Sequence, residues 1–195
     1  MIKFFSLIAI TIAIFTCGCH RVYRPAVNPN KSDLTVEQSA LLQKSKLRVP
    51  CRVEVHCPDV LTGTGSTFWR NETFYYPLQE IIRNSFNSAA GKLFESPRNE
   101  IIDAFTIYVT VPESQLVVDG DDAHYTLQVI VIFKEPGEKK IDAFEVTKSL
   151  DGICEDRHEV PPVVYDLARD VAFQAMRKLA TNPKVLKTVK RLEDR

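Results

Sequence analysis

Three segments of alternating polarity follow one another, and they constrain the fold more than any other feature of the sequence. They cover residues 105–111, 126–133 and 141–150. Because successive side chains of a strand point to opposite faces, each segment predicts a β-strand. The second is apolar on both faces and predicts a central strand, whereas lysines and acids in the third predict an edge strand. Short turns at 119–122 and 135–138 predict that the three strands pair antiparallel.

Two amphipathic helices flank these strands. Pro77 opens the first helix, which ends before Ser96-Pro97, and the second covers residues 163–181 after Pro161-Pro162. An earlier strand is predicted at 51–57, and two aromatic runs within 67–76 predict a hairpin or a bent strand. Since each helix must bury its single apolar face, the predicted fold is α+β, a two-layer sandwich of an antiparallel sheet covered by two amphipathic helices, over residues 48–182.

The composition fits such a domain and excludes several other classes. The chain has 195 residues, 45% of them hydrophobic, and its 25 basic and 25 acidic side chains cancel. A chain of this length can bury a substantial core. The balance excludes collagenous, low-complexity and polybasic nucleic-acid-binding proteins.

The N-terminus has the pattern of an export signal. Lys3 precedes an apolar run over residues 4–15, and Thr16-Cys17-Gly18-Cys19 follows directly. A helix of about twelve residues reaches only ~18 Å, too short for a hydrocarbon core of ~30 Å, so the run predicts a secretory signal rather than a membrane span. The cysteines resemble the lipobox of bacterial lipoproteins. We predict a signal peptide over residues 1–18 and lipidation at Cys19 or at Cys17; a conventional signal peptide with an incidental cysteine pair is the alternative.

The residues at and after the cysteines predict the location of the protein and a tether. Neither Gly18 nor His20 is the Asp that retains enteric lipoproteins at the inner membrane, so the predicted location is the outer membrane, with the domain facing the periplasm. Residues 19–47 carry little periodic apolar character and predict a tether that remains extended or disordered. Within it, residues 34–47 could form one short helix capped by Asp33 or Thr35.

The mature chain keeps three cysteines, Cys51, Cys57 and Cys154. An exported chain can form disulfides, and three thiols allow at most one intramolecular bridge. Cys51 and Cys57 stand about 20 Å apart along one strand, too far to pair with each other. A bridge would therefore join one of them to Cys154; the alternative is that all three are small buried apolar residues. Zinc bound by Cys154 and His158 is disfavoured because no second ligand pair is evident.

The last residues, 183–195, predict a short basic amphipathic helix. Its cationic face could remain solvated, touch anionic lipid headgroups or contact an acidic partner. The sequence leaves these alternatives open.

The order of these elements resembles a known group of proteins. A lipobox, an extended tether, a strand, an aromatic run into Tyr75-Tyr76-Pro77-Leu78, a helix, an antiparallel meander and a final helix resemble the small lipoproteins that face the bacterial periplasm. These include the LptE type, the YajG type and the auxiliary lipoproteins of lipid-handling ABC transporters. The resemblance implies an accessory in assembly or transport at the cell envelope, which docks onto a larger complex and turns over no substrate.

The function predicted from these observations is protein docking at the cell envelope. We expect no catalysis, cofactor, metal or nucleic-acid partner, since no nucleophile, base and orienting group stand together in the sequence. The candidate partner-binding residues are aromatic or basic: Phe68, Trp69, Tyr75, Lys187, Lys190 and Arg191. The alternative is a module that binds a lipid or small molecule in a cavity between sheet and helices.

Overall fold

The computed structural model describes residues 20–25, 28–67, 70–96, 104–137 and 139–193. The predicted signal peptide with Cys17 and Cys19, and the candidate docking residues Phe68 and Trp69, lie outside these ranges. The strands are β1 (Arg21–Tyr23), β2 (Cys51–His56), β3 (Leu61–Thr67), β4 (Arg70–Tyr76), β5 (Phe105–Asp119), β6 (Asp122–Lys134) and β7 (Lys140–Ile153). The helices are α1 (Val36–Gln43), α2 (Leu78–Leu93), α3 (Pro162–Thr181) and α4 (Pro183–Glu193), and Pro29–Ser32 forms a 3-10 turn.

The fold is α+β, and the seven strands of the described ranges form one mixed sheet in the order β1-β4-β3-β5-β6-β7, with β2 beside β5. The predicted meander is present, since β5, β6 and β7 pair antiparallel and β6 is central. The expectation of a purely antiparallel sheet is wrong, because β2 and β3 pair with β5 in parallel and β1 pairs with β4 in parallel. For β2 and β3 the physical reason is α2, which carries the chain back along the sheet so that β5 starts at the same end as β2.

The meander sets the length of the molecule and defines its two ends. At one end, Asp119 of β5 pairs with Asp122 of β6 across a turn in which Gly120 has φ +56°. At the other end, β6 finishes at Lys134, which pairs with Lys140 of β7. At ~3.4 Å per residue the two ends of β6 are about 40 Å apart.

The main core lies between the sheet and the helices α2 and α3, which contact each other. Helix α2 contacts β2, and α3 contacts β6 and β7. Every second residue of β6, from Ala123 to Phe133, is buried, which matches the alternation in the sequence. Phe133 stacks on Phe94 and on Phe105, with ring centroids 5.7 and 5.2 Å apart. Large rings therefore fill the space beneath the start of β5.

The segment predicted to be a free tether is largely folded onto the domain. Strand β1 pairs with β4, and Tyr23 stacks on Phe74 with ring centroids 5.3 Å apart. Further along, the Asn28 amide donates to the Tyr165 hydroxyl at 2.8 Å, and Leu42 is buried in the core. A few apolar residues without a regular spacing are enough for these contacts, because β4 and the helices offer a preformed surface.

Two short helices complete the fold. Helix α1 lies within residues 34–47, and its cap is Thr35, whose side chain accepts from the Gln38 amide at 3.2 Å in a capping box. Helix α4 follows α3 after Asn182 and buries Val185 and Val189.

Candidate functional site

The chain emerges from its predicted anchor directly beside the sheet. Arg21, the first residue of β1, is aligned with Glu72 of β4, and the His20 ring lies 3.1 Å from the Thr73 hydroxyl. Ser66, near the end of β3, is aligned with Asp119. The N-terminus of the described domain is therefore at the Asp119 end of the sheet, on the edge farthest from β7.

The aromatic run of β4 divides between the core and the surface. Phe74 and Tyr76 are buried and stack at 5.9 Å, as the strand alternation requires. Tyr75 points the other way, is 37% exposed, and has the Arg24 guanidinium 6.0 Å from its ring centre. Of the three aromatic residues predicted to bind a partner, Tyr75 is thus described and partly exposed, while Phe68 and Trp69 stay untested.

A buried ion pair fastens the loop after β7 to β4. Arg157 Nε lies 3.1 Å from a Glu72 carboxylate oxygen, and the side chains are 14% and 5% exposed. The same guanidinium donates to the backbone carbonyls of Cys154 and Gly120. One side chain thereby links β4, the β5–β6 turn and the end of β7, an arrangement that sequence spacing gives no sign of.

The three cysteines are free thiols. Cys51 is aligned with Phe105 at the start of β5, whereas the Cys154 amide donates to the Asp121 carbonyl beyond the end of β5. Fourteen residues of strand separate those levels, roughly 45 Å, and a bridge needs ~4.4–6.8 Å between α-carbons. The predicted bridge from Cys51 to Cys154 is therefore excluded. Cys57 follows β2 at the level of Thr110 and is not bonded to Cys154 either.

The thiols are poorly suited to nucleophilic chemistry. Burial raises the pKa of the Cys51 and Cys154 thiols, although nearby Arg52 and Arg157 oppose the shift. Burial and then Asp59 raise the pKa of Cys57 to about 11. Since the thiolate is the reactive form, these cysteines are protonated at neutral pH.

An open cleft of about 440 Å³ lies between the end of β7 and the start of α3. Its lining combines Leu150, Ile153 and the Pro161-Pro162 turn with several carboxylates. Asp151, Glu155, Asp156 and Glu159 belong to that lining, and Asp119, Asp121 and Asp122 lie at the adjoining turn. We call these seven carboxylates the acidic end.

The acidic end shows no geometry for a metal ion. Among the residues that the structure describes, no three histidine, cysteine or acidic side chains are grouped as metal ligands. The His158 ring packs edge-on against Tyr23 at 5.5 Å, and Asp119 accepts a hydrogen bond from the Ser66 hydroxyl at 3.1 Å.

The opposite end of the sheet is basic. It presents six cations on the β6–β7 turn, on β7 and on α4, which we call the basic end: Lys139, Lys140, Lys184, Lys187, Lys190 and Arg191. Arg191 and Lys139 pair with Glu135, and Lys184 lies 3.6 Å from Asp142. The fold thus gathers all three predicted basic binding residues on one ordered helix.

The sheet face turned away from α2 and α3 carries polar rows that sequence reasoning missed. The His56 ring stacks on Tyr108 at 5.7 Å, and the Lys134 ammonium lies 3.9 Å from the centre of the same ring. Farther along, His124 contacts Asp151 at 2.6 Å and the Thr126 hydroxyl at 3.3 Å. Apart from the His124–Thr126 contact within β6, these are cross-strand neighbours, and only the register reveals them.

Comparison with known proteins assigns no family. No family model matches the chain, and no curated protein matches it. A Xanthomonas campestris protein of family DUF330 is 8% identical with a TM-score of 0.49, over 89% of this chain and 98% of that one. A candidate lipoprotein from Caulobacter crescentus is 10% identical with a TM-score of 0.38, over 82% and 98%. A minor lipoprotein from Acinetobacter baumannii is 14% identical with a TM-score of 0.35, over 70% and 92%. Likeness at these scores carries no argument about function.

None of the helices within the described ranges is both long and apolar enough to span a bilayer.

Proposed function

We propose that this protein is a lipid-anchored accessory of the bacterial cell envelope that acts by docking to other proteins. Its anchor would be an acylated Cys19 or Cys17 in the outer membrane, with two or three acyl chains giving stable attachment. Its domain, a two-layer sandwich of sheet and helices, would face the periplasm. The LptE, YajG and transporter-auxiliary lipoproteins are the group that the element order resembles.

One observation carries this proposal: the chain is already paired with the sheet at Arg21. Cys19 precedes that residue by two positions and Cys17 by four, so at most ~7 or ~14 Å of extended chain separates the acylated residue from β1. A domain on so short a chain stays within a few nanometres of the bilayer surface. Such confinement suits an accessory that acts on partners at the envelope.

The packing favours docking over lipid carriage. A carrier needs an apolar cavity of about 300–1,000 Å³. The place predicted for it, between sheet and helices, is occupied by rings such as Phe94, Phe105 and Phe133, all of them buried. The 440 Å³ cleft lies elsewhere, and its carboxylates would repel an anionic headgroup.

The absence of catalysis stays part of the proposal. The protonated thiols, and histidines that sit in cross-strand pairs on an open surface, support it.

The anchor is tested by acyl labelling and membrane fractionation of the full-length chain in a Gram-negative host. We expect incorporation of labelled palmitate and co-fractionation with the outer membrane, and we expect the Cys17→Ser/Cys19→Ser double variant to lose both. Unchanged labelling or pelleting of the double variant would refute the anchor.

Single substitutions identify the acylated residue. His20→Asp places Asp second in the mature chain if Cys19 is acylated, so it should then move the protein to the inner membrane. Arg21→Asp is the matched control, since it places the same charge one position later. If Cys17 is acylated, Cys17→Ser alone should abolish labelling.

A further inference from the structure

The edge of the sheet formed by β7 is open over its second half. Successive residues of a strand point their backbone groups to opposite sides, so alternate residues of β7 bond to β6 or point outward. The Cys154 amide donates to the Asp121 carbonyl on the β6 side, and the Lys178 ammonium reaches the Glu145 carbonyl from outside at 3.0 Å. The odd-numbered residues from Glu145 onward therefore turn their N–H and C=O groups away from the sheet.

Beyond Glu145 these outward groups have no hydrogen-bond partner within the described ranges. They belong to Thr147, Ser149, Asp151 and Ile153, and β7 pairs on its other side with β6. A row of unpaired backbone groups on an edge strand is a template for another extended segment. Residues 147–153 therefore offer space for a strand of about seven residues.

The same section of β7 forms one wall of the 440 Å³ cleft. Leu150 and Ile153 line the cleft and are 38% and 57% exposed. The opposite wall is the Pro161-Pro162 turn with the start of α3. A strand added to β7 would place every second side chain over the cleft, because strand side chains alternate between the two faces. The cleft would thus receive side chains that have an apolar stem.

The charges of the cleft decide which side chains fit it. Its carboxylates are Asp151, Glu155, Asp156, Glu159 and Asp166. Lys31 pairs with Glu159 and Arg169 with Asp166, whereas no cation within the described ranges contacts Glu155 or Asp156. A lysine or arginine can lay its aliphatic stem on apolar walls and hold its charged head among carboxylates. The cleft therefore favours basic side chains.

Cations outside the described ranges do not neutralise this cleft. Lys3 belongs to the predicted signal peptide, and Arg98 and Arg195 each follow a described residue, Ser96 and Glu193, by two positions. Two residues of chain span at most ~7 Å. Ser96 and Glu193 belong to segments at the Lys134 end of the sheet, about 40 Å from the cleft.

Other occupants use less of this surface. An anionic lipid headgroup is repelled by the carboxylates, and a small cation leaves the backbone row unpaired. A second copy that paired through the same section about a two-fold axis would bring Asp151, Glu155 and Asp156 of both chains together, which like charges oppose. An extended basic peptide satisfies both the backbone and the charges.

We propose that the open edge of β7 over residues 147–153 binds an extended basic segment of a partner protein by strand addition, with its cationic side chains at the carboxylates of the cleft. This rests on the proposed docking function, for which it names the surface and the chemistry of the partner, but it does not depend on the lipid anchor. Backbone hydrogen bonds supply affinity, and the carboxylates select a basic sequence.

Strand addition is tested on the full-length protein in detergent with a fluorescent, capped heptapeptide of alternating lysine and valine. We expect binding that weakens with salt. The same peptide methylated on two adjacent central amides lacks a donor on each of its edges, and it should bind at least tenfold more weakly. Equal affinity for the two peptides would mean that charge alone holds them, and it would overturn the proposal.

A proline on the edge tests the same bonds from the protein side. Ser149→Pro removes an outward N–H and leaves the bonds to β6, and proline is accepted at such edge positions. We expect at least a tenfold loss of affinity for the unmethylated peptide. The methylated peptide leaves the protein unchanged, so it decides the question even where Ser149→Pro impairs folding. A folded Ser149→Pro variant with unchanged affinity would contradict pairing at this edge.

Charge selection is tested by reversing a carboxylate that has no cationic partner. Glu155→Lys should weaken peptide binding about fivefold. The matched control is Glu113→Lys on the exposed bulge of β5, three strand spacings or ~14 Å from the added strand and beyond a Debye length of ~8 Å. It should change affinity less than twofold. Equal losses in the two variants would overturn the assignment of the cleft as the site of charge recognition.

Two measurements separate this proposal from its alternatives. The Cys17→Ser/Cys19→Ser variant should bind the peptide with unchanged affinity, so failure of the anchor and failure of strand addition give different results. Sedimentation of that variant without peptide should show no dimer that depends on the β7 edge. A dimer that Ser149→Pro dissociates would overturn the proposal in favour of a second copy of this chain.

Discussion

The acidic and basic ends of the sheet are built from the same three strands, yet they differ in charge and in how they are fastened. The chain as a whole has no net charge. At the acidic end a single buried guanidinium, Arg157, joins three elements. At the basic end exposed ion pairs and an apolar helix face hold α4 in place. Within the described ranges, the neutral composition therefore divides between one end rich in carboxylates and another rich in cations. The two ends also depend on different interactions for stability.

The largest loss of stability is expected when the buried ion pair loses its cation. Arg157→Ala leaves the Glu72 carboxylate buried without its cation, and we expect a loss of about 3–5 kcal/mol in the free energy of unfolding. Lys31→Ala is the matched control, because it removes one partner of the exposed Lys31–Glu159 pair and should cost about 0–1 kcal/mol. Urea denaturation monitored by circular dichroism measures both. Similar losses in the two variants would show that Arg157 does not fasten the acidic end.

Replacing either of two glycines by alanine should change the stability of the fold in opposite directions. A Cβ at Gly152 would lie 2.8 Å from Val163 Cβ, so Gly152→Ala must push β7 away from α3, at a cost of about 1–3 kcal/mol. Gly91, in the last turn of α2, has open space around it, and Gly91→Ala should stabilise by roughly 0.5–1 kcal/mol. Thermal melting of both variants checks the prediction. Stabilisation by Gly152→Ala would contradict the close approach of β7 and α3 at the acidic end.

A smaller loss of stability is expected at the basic end. Asn182→Ala removes the cap of α4 and the contact with Asp142, and we expect a loss of about 1 kcal/mol. Thr35→Ala, which removes the cap of α1, is the matched control with a loss of similar size. Hydrogen exchange distinguishes the two variants, because only Asn182→Ala should speed the exchange of the α4 amides. Unchanged α4 exchange would show that the helix is held by its buried valines without the cap.

The local elements of this protein are largely readable from its sequence. Alternation of apolar residues identified β5 to β7, and three- and four-residue spacing identified α2 and α3, because these periodicities follow from how a single strand or helix exposes its faces. Thr35 was one of two predicted caps for α1, since capping depends on residues four positions apart at most. The apolar run before Cys17 and Cys19 likewise predicts a secretory signal from one short segment alone.

Contacts between segments that are distant in the sequence were decided only by the tertiary structure. The parallel pairing of β2 and β3 with β5, the folding of residues 20–25 onto β4, and the Arg157–Glu72 pair each join segments more than 45 residues apart. It also decided where charge accumulates, because strand register brings Asp121, Asp151 and Glu159 to one end and α4 to the other. A linear sequence records which side chains exist, whereas long-range pairing determines which of them share a surface.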